Sequence, residues 1–312
     1  MLRIATRGSA LARWQAGEVA RLLRGRHPGV GVELLEVETT GDRRQDIPVW
    51  EMGGQGIFVK EIQAAVLEGR ADLAVHSAKD LPSTTPAGIR LAAVPARGDP
   101  RDALVGSALD DLAPGAVVAT GSVRRRAQLA WLRPDLTFTG LRGNIGTRLE
   151  RVPVGGAVVV AAAALDRLGL LGRAAEILGI DRMLPQVGQG ALAVECRASD
   201  ERVNGLFAAI DHPTARLELT AERGFLARLG GGCDLPVGAH ANLSADGTLT
   251  VEAMMASGDG RVLLRDSRRG VTPDPGSAED LGASLAEWLL DGAGGAELMG
   301  LSSGGSGDGG NG

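Results

Sequence analysis

Cysteine is almost absent from this chain: Cys196 and Cys233 are the only two among 312 residues. Two cysteines cannot make a disulfide framework or a paired Cys-x-x-Cys metal motif, and no metal is expected. Aromatics are also scarce, with four Trp, four Phe and no Tyr, which argues against stacking platforms for single-stranded nucleic acid. A formal net charge of −5 disfavours general nucleic-acid binding, because neutralising phosphates needs a basic face. No run approaches the ~20 apolar residues of a membrane span, and the opening MLRIATRGSA has no apolar stretch long enough for a signal peptide. A soluble cytoplasmic protein is expected, without membrane or nucleic-acid partners.

Against this acidic balance stands one basic segment. Six arginines fall between Arg124 and Arg148 against one acid, Asp135, for a local charge of +5. The planar guanidinium fork suits bidentate binding of carboxylates or phosphates, so the segment points to a ligand carrying several such groups.

A chain of this length should form about two or three domains. Strand-like and helix-like segments alternate through its first two thirds. Strands are expected at 2–5, 32–37, 73–76, 117–119, 136–139 and 157–160, with helices at 10–23 and 58–67. This alternation favours parallel α/β sheets with crossover helices. There is an internal echo: IATRGSALARWQA (4–16) and VATGSVRRRAQLA (118–130) each run apolar strand, Ala-Thr, Gly-Ser, then a helix, with Gln six residues after the Ser. Each reads as an anion cradle at a helix N-terminus or, more plainly, as an N-cap. Arg7 and Arg124–Arg126 beside the two copies favour the cradle.

The segment ARGDPRDAL (96–104) reads as an exposed hinge. Beyond Gln189 come a strand at 191–196, an amphipathic helix at 213–229 with Leu217, Ala221, Phe225 and Leu229 on one stripe, and a stop at Gly230–Gly232. Strands near 237–243, 249–255 and 261–268 and a helix at 281–290 make a small α+β unit. The expected division is 1–95 with 191–208, then 98–188, then 213–300. The Gly/Ser-rich tail 302–312 is expected to be disordered.

Two residues stand out chemically. Cys233, in GGGCDLP, is a thiol in a Gly-rich loop, whereas Cys196 shares an alternating strand face with Leu192 and Val194 and reads as core. Asp80, in AVHSAKDLP, follows an apolar strand; ligands in open α/β sheets bind beyond the carboxyl ends of strands. Its alternative is a surface Lys-Asp pair. The loop 42–58, with its Gly-Gly-Gln-Gly, reads as a mobile lid.

In combination these segments resemble the porphobilinogen deaminase (hydroxymethylbilane synthase) family. IATRGSALA, GGQGIFVKE, AVHSAKDLP, DPRDAL, TGSVRRRAQL, LRGNIGTRL, LDRLGL, VGQGALAVECR, TAERGFLARLGGGCDLPVGA and SLAEWLL run in family order across about residues 3 to 290. The resemblance implies two periplasmic-binding-protein-like α/β domains plus a small C-terminal α+β domain. It implies one covalent dipyrromethane cofactor per chain, in thioether linkage to Cys233, and a transferase that joins four porphobilinogens head to tail, releases ammonia each time and hydrolyses off hydroxymethylbilane. A monomer is expected. By the same resemblance Asp80 is catalytic. Cofactor binding falls to Lys79, Thr120, Ser122, Arg124, Arg125, Gly143 and Arg148. Substrate binding falls to Arg7, Ser9, Gln15, Phe58, Arg142, Arg167 and Gln189. Many relatives carry lid lysines near the positions of Glu51 and Gln55; Arg43 and Arg44 are the candidates to replace them, and the sequence leaves that replacement open. The rival reading is a non-catalytic two-domain anion-binding or ligand-sensing protein, which would need neither Cys233 nor Asp80.

Overall fold

Apolar strands separated by half-buried helices build two sheets from one chain. The computed structural model describes residues 1–43, 56, 58–231, 235–272 and 274–298. Arg44, Glu51, Gln55, Cys233 and the tail from 302 lie outside the described residues, as does most of the expected lid. The first unit runs β1 (Leu2–Thr6), α1 (Ala10–Arg26), β2 (Val32–Glu36), α2 (Thr40–Arg43), α3 (Lys60–Leu67), β3 (Leu73–Ser77) and β4 (Ile89–Ala93). The second holds β5 (Asp102–Val105), β6 (Val117–Ala119), α4 (Val123–Leu132), β7 (Thr137–Thr139), α5 (Ile145–Leu149), β8 (Ala157–Ala161), α6 (Ala162–Arg167) and β9 (Glu176–Ile177). The chain then returns through β10 (Leu192–Arg197), α7 (Glu201–Phe207) and α8 (Pro213–Arg228). It finishes with β11 (Val237–Leu243), β12 (Thr248–Ala256), β13 (Leu263–Val271) and α9 (Pro275–Glu287).

The sheets have the same plan, β2-β1-β3-β10-β4 and β7-β6-β8-β5-β9. The first three strands of each are parallel, and the fourth runs antiparallel to its neighbours. The all-parallel sheets expected from the alternation are therefore mixed. The reason is the route of the chain. Strands β4 and β9 each deliver it at the carboxyl end of their sheet, and it enters the other sheet from that same end as an antiparallel strand. Both crossovers thus border the carboxyl ends of the parallel strands, where ligand clefts form. These are the two α/β halves that the alternation implied.

The exposed hinge expected at 96–104 is corrected by the structure. Asp102–Val105 is a fully buried strand and Asp102 is 0% exposed. The charges that suggested a linker are paired internally: Arg97 with Glu222, and Asp102 with Arg124 and Arg125.

The last unit is a three-stranded antiparallel sheet covered by α8 and α9. Ala221, Phe225 and Leu229 of the expected stripe are buried in this core, with Leu217 packed at its edge. The two helices touch backbone to backbone. A Cβ on Gly282 would stand 1.8 Å from Ala221 O, and one on Gly224 would stand 2.3 Å from Glu279 O. Helix α9 starts six residues before the expected position, because Asp274 caps it reciprocally with Ser277 and a proline occupies its first turn. Cys196 is buried, as its strand pattern implied, and burial raises its thiol to about 11. It is an inert core group.

Candidate active site

Strand β3 is wholly apolar and buried from Leu73 to Val75, then opens into a single 3₁₀ turn, Ala78–Asp80. The turn points Lys79 and Asp80 off the carboxyl end of the sheet. Asp80 is half-buried, and no described residue donates a hydrogen bond to its carboxylate. Lys79 donates from Nζ to Gln189 Oε1 at 3.1 Å. Burial and the neighbouring Arg125 charge push its ammonium down to about 8, partly offset by Asp80 and Asp102.

Across the cleft, α4 begins at Ser122, whose hydroxyl accepts from Arg125 N at 3.4 Å. Thr120 Oγ1 accepts from Ser122 N at 3.2 Å. The internal echo holds here: Ser9 caps α1 by accepting from Ala12 N at 3.3 Å. Both serines therefore serve the helix ends, the plainer of the two readings. Arg124 and Arg125 are 3% and 6% exposed. They converge on Asp102, with Arg124 Nη2 2.7 Å from Oδ2 and Arg125 Nη2 2.7 Å from Oδ1. Burial alone would raise the Asp102 carboxyl; the two guanidinium charges and a hydrogen bond from Gln189 outweigh it and hold the group far below the carboxylate range.

Arg148 is aimed by Gly143, whose carbonyl accepts from its Nε at 2.8 Å. Gly143 has φ +109°, a conformation that L side chains rarely adopt. Burial first, then repulsion from Arg125, lowers Arg148 to about 10; Asp80 opposes this, while Arg142 and Arg7 add to it. It stays charged at neutral pH. Arg142 has a buried Nη1 without a hydrogen-bond partner. Arg7 donates from Nε to both Asp42 oxygens at 3.2 Å and stacks 4.2 Å over Phe58. Gly41 makes room for that ring: a Cβ there would lie 2.1 Å from Phe58 Cε1. Lys79 and Arg148 thus lie beside Asp80, and Arg7, Arg125 and Arg142 lie around Arg148.

Other expected residues sit elsewhere. Arg167 donates to Gly190 O at 2.6 Å and lies 5.6 Å over Trp14, beside the second crossover. Its electrostatic partners are Asp166 and Glu18, outside the cluster around Asp80. Gln15 is buried and donates to Ser77 Oγ at 2.8 Å, one step behind the turn. Gln189, expected to touch substrate, is 0% exposed with both ends of its amide hydrogen-bonded inside the protein. Arg43 ends α2, exposed.

Three groups escaped the sequence reading. Asp102 is one. Glu222 is the second: α8 inserts this fully buried carboxylate between both crossovers, where it accepts from Arg97 Nη1 at 2.6 Å, Gly188 N at 2.7 Å and Ala241 N at 2.9 Å. Arg97 is the third, and it also donates to Gln189 O at 3.0 Å. The only sequence signal for Glu222 was an acid next to Ala221 on the buried stripe.

A pocket at this junction is lined by Lys79, Asp80, Ser122 and Arg124 on its polar side and by Leu226, Leu235 and Val237 on its apolar side. One wall is charged and the other, from the last unit, is apolar. Leu235 of the apolar wall follows Cys233 by two residues in sequence.

Fold and site together define a two-lobed α/β protein with a cluster of cations at the carboxyl ends of its strands. Residues 2–205 match the family description "Porphobilinogen deaminase, dipyromethane cofactor binding domain", and residues 216–291 match "Porphobilinogen deaminase, C-terminal domain". A porphobilinogen deaminase of Nitratidesulfovibrio vulgaris (strain DSM 19637 / Miyazaki F) is 47% identical over 300 residues, covering 94% of this chain and 95% of that protein. Among solved structures, a nutrient binding protein from Burkholderia cenocepacia bound to methionine aligns with a TM-score of 0.42 at 14% identity, covering 69% of this chain and 94% of that one. A YaeC-family lipoprotein from Enterococcus faecalis V583 aligns with a TM-score of 0.40 at 13% identity, covering 69% and 93%. The chain belongs to the porphobilinogen deaminase family.

Proposed function

We propose that this chain is a hydroxymethylbilane synthase: it condenses four porphobilinogen molecules head to tail on a dipyrromethane primer carried by Cys233, releases one ammonia per addition and frees the linear product by hydrolysis. The observation that carries this reading is the Asp80 carboxylate, to which no described residue donates a hydrogen bond, set beside Lys79 and Arg148 in a cluster that also holds Arg7, Arg125 and Arg142. When bound, the primer supplies the nucleophilic pyrrole carbon from which the chain grows.

The protein's own residues do the rest. Each pyrrole carries an acetate and a propionate, so Arg142, Arg148 and Arg7 hold carboxylates of the growing oligomer, and Lys79 with Arg125 holds those of the primer. Arg124, held by the same Asp102 as Arg125 and lining the pocket, joins them. Loss of ammonia leaves positive charge on the substrate pyrrole. Asp80, to which no described residue donates a hydrogen bond, faces that charge and stabilises it. It also holds a proton for the departing amine and accepts one as the ring rearomatises. The three units are taken as 1–95 with 191–208, 98–188 and 213–300. One chain supplies every group named here, so a monomer suffices; the reading places it in the cytoplasm, without nucleic acid.

The test is direct. Purified protein given porphobilinogen should release ammonia mole for mole with porphobilinogen consumed. A folded preparation that binds porphobilinogen without releasing ammonia would instead favour the anion-binding alternative.

A further inference from the structure

The buried acid Asp102 has no part in the chemistry above, yet it occupies a particular place. It opens β5 directly after the first crossover, and Gln189 lies just before β10 at the second. Asp102 Oδ1 accepts from Arg125 Nε at 3.0 Å and Nη2 at 2.7 Å, and from Gln189 Nε2 at 2.9 Å. Gln189 Nε2 also donates to Pro100 O at 2.7 Å, while its Oε1 accepts from Lys79 Nζ at 3.1 Å. A continuous chain, Lys79–Gln189–Asp102–Arg125, therefore runs from the first sheet to the second through both crossovers. A buried ion pair contributes little net stability compared with apolar packing, so stability alone gives no reason for this one.

We propose that Asp102 and Gln189 are positioning residues for the reaction proposed above: acting through Arg125 and Lys79, they fix the spacing of two cations that belong to opposite lobes and keep Lys79 charged for an acidic ligand. The inference rests on that reading for its substrate, but its first readout does not.

The groups facing Lys79 are Asp80 on its own turn, Arg124 and Arg125 from α4, Asp102 from β5 and Gln189 from the second crossover. Burial and the arginines lower the ammonium; the two aspartates raise it. Removing the Asp102 charge takes away one of the two opposing acids, so the Lys79 midpoint must fall further below 8. Lys79 then loses its charge at a lower pH, and acidic ligands bind less well as pH rises through that midpoint.

Lys60 and Lys79 are the only lysines in the chain, so ¹⁵N-lysine NMR should give two side-chain signals, with Lys60 as the reference. For the NMR the background is Cys233→Ser, so that no primer carboxylates face Lys79, and its ammonium should titrate near 8. Asp102→Asn should lower this midpoint by about 1. Gln189→Met keeps the bulk and the Asp102 charge but removes the acceptor for Lys79, and it should lower the midpoint in the same direction. In both variants KM for porphobilinogen should rise at least about tenfold with a smaller change in kcat, and the alkaline limb of kcat/KM should move with the NMR midpoint. If Asp102→Asn does not fold, judged by circular dichroism, Gln189→Met decides alone. A folded variant with unchanged Lys79 midpoint and unchanged KM overturns the proposal. A shifted midpoint in a protein that never consumes porphobilinogen leaves the relay standing and removes the proposed reaction.

Discussion

Replacing Asp80 by Asn cuts turnover by about 10²–10⁴ while leaving the protein folded and its thermal midpoint nearly unchanged. The two halves of this expectation have one cause. The Asp80 carboxylate is half-buried with no hydrogen-bond donor among the described residues, so an isosteric amide orphans no buried partner. What it removes is the negative charge that faces both Lys79 and Arg148. The amide can neither balance positive charge on the pyrrole nor take up and return a proton. KM should fall or stay level, because the oligomer's own carboxylates no longer meet a like charge. Single-turnover measurements of ammonia release, beside a melting curve, check both halves. Near-normal release would take Asp80 out of the chemistry.

Glu222→Ala carries the largest expected effect on stability. The wild-type carboxylate is fully buried and joins Arg97 on the first crossover, Gly188 on the second, and Ala241 in the last sheet. Burial would raise its carboxyl; the Arg97 charge, with help from His240 and the hydrogen bonds, brings it well below the usual range. Its contribution is therefore complete at neutral pH and is lost only as pH falls through that depressed value. Alanine takes the close counter-ion from the buried Arg97 guanidinium, leaving it only Glu218 at 3.9 Å, and leaves two backbone N–H groups without acceptors. Breaking such a pair costs about 3–5 kcal/mol, a fall of roughly 10 °C in Tm for a chain of this size. The loss should appear equally in denaturant melts, with the deficit shrinking in strong acid. A variant that melts with the wild type would mean that Glu222 does not tie the crossovers to the last unit.

How much of this was legible from sequence follows from the range of the forces involved. Local signals were readable. The echoed segments do open helices, although Ser9 and Ser122 serve as plain caps where the cradle was favoured, and the Ala221–Phe225–Leu229 stripe became the core of the last unit. The run at 157–161 has no charge and reads as a buried strand. Asp102–Val105 is just as buried, but it is short and headed by an acid, in a stretch rich in Arg, Pro and Gly. Its burial depends on Arg124 and Arg125, more than twenty residues away, and no periodicity reports such pairing. Gln189 shows the same limit from the other side. Its segment was recognised, but only the folded arrangement shows its amide turned inward to Lys79 and Asp102. The positive cleft was read from six arginines in one segment; which of them face the ligand and which face Asp102 depends on where β5 runs.

The most direct measurement is the intact mass of the purified chain, compared with that of Cys233→Ser. A sulfur-anchored primer predicts that the wild type is heavier than its sequence by two linked pyrrole units, and that the serine variant has the bare sequence mass and no turnover. A wild-type chain of bare mass that still consumes porphobilinogen at full rate, or a serine variant as active as the parent, would contradict it.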